Sequence, residues 1–358
     1  MKKVKQLLFI LFAFSIISFV VGCSSSNSSG TNSGGNAPSE PNASNEGNGE
    51  KGQITIKFAH SSAPESARDL GAQKFKEIIE AETNGQVTVE IYPSSQLGNP
   101  TEILQAVQMG NVEMSITPTS FMGGFQPFIT LLDIPFLFPN DLDKLLEIQE
   151  GEAMRNLLDK TDDIGIRTLG IWHTGYKQFT GPKALTSPED FNGLKFRAMP
   201  SPIIFEQFKV LGASPTDIPF AETYNALQTG TINGQENPLD TTYDMKLHEV
   251  QKVTTMTDHG VLDQMILVNK AFYDGLDESI KDAMQKAFIE GRDVTIEKTY
   301  ENIEEVYQIM KDNGMEFVEI SAEQRQVFID KVKSIKDLFI ETFGDEGKEL
   351  LEGIEKSL

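Results

Sequence analysis

The 358-residue sequence has very little cysteine, histidine or tryptophan, with one Cys, four His and one Trp. A single cysteine excludes an intramolecular disulfide. The histidines lack the regular spacing of a metal site, and the sequence contains no phosphate-cradling loop, zinc-protease motif, nucleophile elbow or nicotinamide fingerprint. We therefore expect a protein without a cofactor, a metal or a catalytic function.

Basic residues are also scarce: 31 Lys and Arg stand against 53 Asp and Glu, which gives a net charge of −22. Nucleic-acid binding requires a basic face, so this class of protein is excluded. Electrostatic docking on anionic lipid headgroups is disfavoured for the same reason. The surface is expected to be acidic and well solvated.

The N-terminus has the pattern of a secretory signal peptide over residues 1–22. Three lysines precede an apolar run at residues 7–21, which is shorter than the about 20 residues of a membrane span. The alternative is an uncleaved anchor helix. The run ends in Val-Val-Gly before Cys23, which resembles the lipobox of bacterial lipoproteins, so Cys23 is expected to be lipidated and to hold the chain at a membrane.

The next segment predicts a flexible linker over residues 23–52. Residues 24–50 contain no aromatic or branched aliphatic side chain and are rich in Ser, Asn and Gly. Such a segment cannot bury enough apolar surface to offset its conformational entropy. A globular part is expected from Gln53 onward, and it is long enough for two hydrophobic cores.

Strand and helix patterns alternate from Gln53. Apolar alternation at residues 54–58 and 87–92 predicts strands, and helical spacing is present at residues 67–81 and 100–110. This alternation predicts an α/β architecture with mostly parallel sheets. Residues 277–313 form a long helical pattern with Gly291 as its only glycine, so a helix that braces two lobes, with a bend tolerated near Gly291, is expected.

A short pattern recurs with an offset of 120 residues. It consists of Glu102, Ala106, Gln108 and Gly110 in the first copy and Glu222, Ala226, Gln228 and Gly230 in the second. Each copy has the form of a helix that ends at a glycine and leads into a strand. Either this is coincidence between two helix ends, or the protein has two similar lobes with a shared cleft, where α/β proteins bind ligands.

Arg197 is the most informative charged residue. Arginine occurs only six times, against 25 lysines, and Arg197 lies in an alternating apolar stretch just before Pro200. Its planar guanidinium can bind one carboxylate bidentately, which lysine cannot do. Two interpretations remain open from the pattern alone: contact with an anionic ligand, or a structural ion pair with an acidic side chain.

A resemblance to a known family rests on three segments: residues 212–230 with the following Gln235-Glu236-Asn237-Pro238, residues 92–98, and Asp263-Gln264-Met265. They resemble the solute-binding proteins of tripartite ATP-independent periplasmic (TRAP) transporters, and the resemblance extends from Gln53 to the C-terminus. It implies a two-lobed, periplasmic-binding-protein-like α/β fold, with a cleft between the lobes and a long helix crossing both. Lobe I is expected at residues 53–174 and 263–302, and lobe II at residues 175–262 and 303–358.

The resemblance also implies the function. We expect a lipid-anchored, monomeric receptor on the extracytoplasmic face of the cell membrane, which binds a small carboxylate and delivers it to TRAP membrane subunits. A C4-dicarboxylate is the default ligand. Two alternatives are a binding lipoprotein of an ATP-driven importer and a ligand sensor for a two-component system.

By this resemblance, Arg197 forms the main salt bridge to the ligand carboxylate, Asn237 contacts the ligand and Phe220 lines the cavity. Lys177 occupies a position that is often arginine in the family, and is expected to assist. Trp172 and His60 lie near strand ends that should face the cleft, although Trp172 could equally belong to the core.

Overall fold

The structure, a computed structural model, describes residues 52–301 and 303–358. The predicted signal peptide, the predicted lipidation site Cys23 and nearly all of the predicted linker therefore lie outside the described residues. Within the described ranges, no helix has both the length and the apolar character needed to cross a bilayer.

The described residues alternate between short strands and helices. The strands are β1 Ile54–His60, β2 Val87–Tyr92, β3 Met114–Pro118, β4 Ile166–Tyr176, β5 Gln178–Gly181, β6 Lys195–Ala198, β7 Ser214–Asp217, β8 Gln235–Asn237, β9 Val253–Met256, β10 Val261–Asn269 and β11 Glu316–Glu319. The helices are α1 Ala67–Glu82, α2 Pro100–Met109, α3 Leu142–Glu150, α4 Glu152–Leu158, α5 Pro202–Leu211, α6 Thr223–Gln228, α7 Leu239–Asp244, α8 Lys270–Asp274, α9 Glu278–Glu301, α10 Ile303–Asp312, α11 Ala322–Val332 and α12 Ser334–Glu355.

The strands form two main sheets, one for each lobe. The first has the order β2-β1-β3-β10-β4 and the second the order β11-β9-β5-β8. The parallel pair β6-β7 adjoins the second sheet through a bridge between Phe196 and Gly234. This arrangement confirms the predicted α/β class and its two lobes.

The expectation of mostly parallel sheets was wrong. Strand β1 is parallel to β2 and β3, but β10 is antiparallel to β3 and β4, and β5 is antiparallel to β8 and β9. The cause is that the chain passes directly between the sheets, from β4 through Lys177 into β5 and from β9 into β10. Strand β10 therefore begins at the cleft, where β3 and β4 end.

The two crossing segments are bonded to each other. The backbone N–H of Lys177 donates to the carbonyl of Gly260 at 2.8 Å, and His173 Nδ1 lies 2.8 Å from Asp263 Oδ1. The chain changes sheet at Lys177 and between β9 and β10. The lobe boundaries expected at 174/175 and 262/263 lie close to these crossings and stay a prediction.

The long C-terminal helical pattern is present as α9 and α10, on either side of residue 302, which is outside the described residues. Helix α9 is about 36 Å long at 1.5 Å per residue and packs on α1 and β4 of the first lobe. Helix α10 packs on α7, directly after β8 of the second lobe. The helical stretch thus contacts both lobes.

Gly291 lies at a close contact between α9, α1 and Trp172. A Cβ at Gly291 would lie 2.6 Å from the Trp172 ring and 2.8 Å from the carbonyl oxygen of Gly71, in α1. Only glycine lets the backbones of α1 and α9 approach this closely. Gly71 and Gly291 therefore lie at a close crossing of α1 and α9, with Trp172 packed against it.

The repeated sequence pattern has the same local geometry in both copies. Gly110 and Gly230 follow α2 and α6 with positive φ angles of 76° and 71°, which glycine adopts without strain. Each then leads towards a strand, β3 or β8, whose last residue reaches the same cavity, Pro118 from one lobe and Asn237 from the other. The two helix ends are locally equivalent.

Candidate functional site

A small cavity lies between the two lobes, with about 290 Å³ of unfilled space including its opening. Strand ends from both sheets supply much of its wall, as expected for ligand sites in α/β proteins. Its lining residues are Ser61, Arg68, Pro100, Pro118, Phe121, Arg197, Met199, Phe220, Asn237 and Leu262. Two cations and one amide thus face a wall that is otherwise largely apolar.

Arg197 is held in this cavity by strand β6. Its backbone N–H donates to Gly234 O at 3.0 Å, and its side-chain Nε donates to Ile218 O at 3.1 Å. The residue is 2% exposed, yet no carboxylate among the described residues forms an ion pair with it. Burial lowers the pKa of Arg197 to about 10, against the opposing fields of Asp217 and Glu236, so it stays protonated at neutral pH.

Phe220 and Asn237 stand beside Arg197. The Arg197 Cζ lies 5.8 Å from the centroid of the Phe220 ring, within cation–π range. Asn237, at the end of β8, is buried, and its Nδ2 donates to Gln235 Oε1. The structure therefore brings together three of the predicted site residues.

Lys177 is located elsewhere. Its Nζ lies 3.1 Å from Glu236 Oε1, while Glu236 Oε2 accepts from Gln207 Nε2 at 2.8 Å and lies 2.8 Å from His259 Nε2. Burial alone would raise the pKa of Glu236, but Lys177 and His259 outweigh it and hold that pKa well below its usual range. The charge of Lys177 neutralises an internal acid, and the side chain does not line the cavity.

Trp172 and His60 are also absent from the cavity wall. Trp172 is fully buried, donates from Nε1 to Phe288 O at 3.1 Å and packs against Phe58, which makes it a core residue. His60 is 1% exposed, with its Nε2 3.1 Å from Asp69 Oδ1. The neighbouring Ser61 lines the cavity instead.

Arg68 is the charged cavity residue that sequence reasoning missed. It is 5% exposed, and its Nη2 donates to Thr241 Oγ1 at 2.8 Å across the two lobes. One signal could have revealed it: Arg68 lies in the first turn of α1, where the helix dipole disfavours a cation. A cation in that position indicates a nearby anion that offsets its unfavourable interaction with the helix dipole.

Comparison with known proteins identifies the family. Residues 58–342 match the model described as bacterial extracellular solute-binding protein, family 7 (DctP). The chain belongs to this family. Members are solute-binding receptors rather than enzymes, which confirms the predicted receptor function and the absence of a catalytic role.

Several relatives support this membership. The chain is 39% identical over 296 residues to the C4-dicarboxylate-binding periplasmic protein DctP of Rhodobacter capsulatus, covering 82% of this chain and 88% of that protein. A TRAP solute-binding protein of Shewanella oneidensis with bound succinate superposes with a TM-score of 0.80 at 34% identity, covering 85% of this chain and 99% of that chain. A TRAP solute-binding protein of Desulfovibrio salexigens with bound orotic acid superposes with a TM-score of 0.82 at 32% identity, covering 85% of this chain and 98% of that chain.

Two acids on α7 lie close to Arg68 and make stability depend on pH. Burial, and then the neighbouring Asp240, raise the pKa of Asp244 to about 6, against the attraction of Arg68. The folded state binds this proton more tightly than the unfolded chain, so stability falls as pH rises from about 4 to about 6.

Asp244→Asn removes the free-energy cost of ionising this buried carboxyl group. We expect the free energy of unfolding to increase by about 1–3 kcal/mol at pH 8 and by much less at pH 4, measured by urea denaturation. Asp282→Asn, an exposed position on α9, serves as the control and should change stability by less than about 0.5 kcal/mol at either pH. An equal gain at both pH values would contradict the assignment.

Proposed function

We propose that this receptor captures a small organic acid outside the cytoplasm, with a four-carbon dicarboxylate as the first candidate, and delivers it to the membrane subunits of a TRAP transporter. Arg197 binds a ligand carboxylate through its guanidinium, Asn237 adds a hydrogen bond, and Phe220 packs against the ligand. The order of events is entry into an open cleft, closure of the lobes, and release at the membrane subunits.

One observation carries the proposal: Arg197 is 2% exposed and has no ion pair with any described carboxylate. A buried charge is costly unless it is paired, so an anion entering the cavity would be strongly favoured. A carboxylate meets the guanidinium with two parallel hydrogen bonds, which is the geometry that arginine supports best.

The relatives make the ligand class more specific. Succinate and orotic acid, bound in two of the similar structures, are both carboxylic acids. The Rhodobacter capsulatus relative is described as C4-dicarboxylate-binding.

The proposal includes a lipid anchor. Removal of residues 1–22 would leave Cys23 as the acylated N-terminus, with the following segment as a tether to the receptor. Cell fractionation tests this directly, because the Cys23→Ser chain should leave the membrane fraction. Retention of that variant in the membrane would contradict the anchor.

Calorimetric titration of the purified full chain tests the ligand class. Succinate, L-malate and orotate are the acids, and succinamide is the uncharged control. We expect at least one acid to bind with a Kd near or below the micromolar range, about 8 kcal/mol of binding free energy, and succinamide to bind at least about 100-fold more weakly. Binding of succinamide as tight as that of the acids would overturn the proposal.

A further inference from the structure

We infer that Arg68 is a second anion-binding residue of the same cavity and that it selects diacids over monoacids. This inference rests on the proposed function, in which Arg197 binds the first carboxylate. It adds a specific partner for the other end of the ligand, on the opposite lobe.

The two guanidiniums come from different lobes. Arg68 lies in α1, which packs on the first sheet, and Arg197 lies in β6, which adjoins the second. Both line one cavity and both are at least nine-tenths buried. Like charges that share a small, poorly solvated space repel each other, and a ligand with two carboxylates would neutralise both.

Arg68 also retains unused hydrogen-bonding capacity. Its Nη2 donates to the neutral Thr241 Oγ1, and its Nε is buried without a partner among the described residues. A guanidinium carries five N–H donors, and buried donors are normally satisfied. The unpaired Nε of a cavity-lining side chain indicates a missing acceptor.

The competing explanation is that Arg68 exists to neutralise Asp240. The geometry argues against a complete ion pair, because Arg68 Nη2 lies 3.8 Å from Asp240 Oδ2. That oxygen is itself buried without a hydrogen-bond donor among the described residues. A structural arginine–carboxylate pair would show two short bonds, so Asp240 compensates the charge of Arg68 without occupying its donors.

The remaining wall fits the middle of a short diacid. Phe121, Phe220 and Leu262 give the cavity apolar sides in addition to the two cations. Such walls suit a short carbon chain with a carboxylate at each end. The fold thus allows each lobe to hold one end of the ligand, so that both carboxylates are engaged only when the lobes close.

Succinate and its monoamide, succinamate, separate the roles of the two arginines, because they differ in one charged end only. Dissociation constants would be measured by calorimetry for the wild type, Arg68→Gln and Arg197→Gln. We expect the wild type to prefer succinate by about 30-fold or more. Arg68→Gln should lose that preference, with succinate weakened about 30-fold and succinamate changed less than about threefold, while Arg197→Gln loses both ligands.

Two further variants guard against loss of structure. Arg167→Gln removes an arginine that lies away from the cavity, and should leave both affinities unchanged. Arg68→Gln combined with Asp240→Asn removes both partners of the long ion pair, so that no acid is left uncompensated, and it should show the same selective loss of succinate binding.

The inference fails if Arg68→Gln weakens both ligands equally, or neither, or if the wild type binds succinamate as well as succinate. It also fails if orotate, which has one carboxylate, binds in an Arg197-dependent way while succinate does not bind. In that last case the proposed function is still supported. If the wild type binds none of the acids, both the proposed function and the role of Arg68 are contradicted.

Discussion

Arg197→Ala is expected to weaken binding of the receptor's acid by between about 30-fold and several thousand-fold. The variant leaves a ligand carboxylate desolvated in the cavity without its main cation, which typically costs about 2–5 kcal/mol. Arg197→Lys keeps the charge but loses the planar guanidinium, so its affinity for the acid should lie between those of the wild type and Arg197→Ala. Calorimetry with the strongest-binding acid measures both effects.

Protein stability separates this role from a structural one. An arginine in a buried structural ion pair would cost about 3–5 kcal/mol of folding free energy when truncated, because its acid would be left unpaired. Here no described carboxylate pairs with Arg197, so removal also relieves the burial of an uncompensated charge. We expect urea denaturation of ligand-free Arg197→Met to show a change within about 1 kcal/mol, the lost bond to Ile218 O roughly offsetting that relief.

Normal ligand affinity in Arg197→Ala would reject the proposed site. A loss of stability above about 3 kcal/mol in ligand-free Arg197→Met would instead support a structural ion pair. Both measurements are needed, since a variant that unfolds also fails to bind.

The residues that sequence reasoning located correctly are those whose roles are local. The helix predicted over residues 100–110 is present as α2, and Gly110 adopts the positive φ that ends it. Short-range geometry of this kind depends on neighbouring residues, so it can be read from the chain. Arg197 and Asn237, which were expected at the site from the family resemblance, both line the cavity.

The errors concern partners that are distant in sequence. Lys177 is adjacent to the predicted cleft strand, but its charge is neutralised by Glu236, 59 residues later. Arg68 reaches the cavity and bonds to Thr241, 173 residues away. The sequence reveals which residues carry charge, whereas burial and pairing are set by how the lobes pack. The strand directions were misjudged for a related reason, because the crossings between lobes are long-range features.

Lys177→Met tests the revised role of that lysine. Among the described residues, the substitution leaves the buried Glu236 carboxylate with His259 and Gln207 as its side-chain partners, so we expect a loss of about 3–5 kcal/mol in the free energy of unfolding at pH 7.5. The pKa of Glu236 is held low in the wild type, so its stabilising effect is complete above its ordinary pKa of 4.5 and decreases as pH falls below that value. The difference in the free energy of unfolding between the wild type and Lys177→Met should therefore decrease below pH 4.5.

Two controls make the result specific. Lys183→Met breaks a surface ion pair with Asp190, in which the lysine side chain is 54% exposed, and should cost at most about 1 kcal/mol. The double variant Lys177→Met/Glu236→Gln removes both charges and should recover part of the loss, because no unpaired acid remains.

Ligand binding distinguishes the two roles considered for Lys177. If this lysine only neutralises Glu236, protein that remains folded should bind the acid within about threefold of the wild type, as judged by calorimetry on the double variant. If it contacts the ligand, affinity should fall by about 30-fold or more even where stability has been recovered. The structure favours the first outcome, because Lys177 Nζ is bonded to Glu236 and lies outside the cavity wall that Arg68 and Arg197 share.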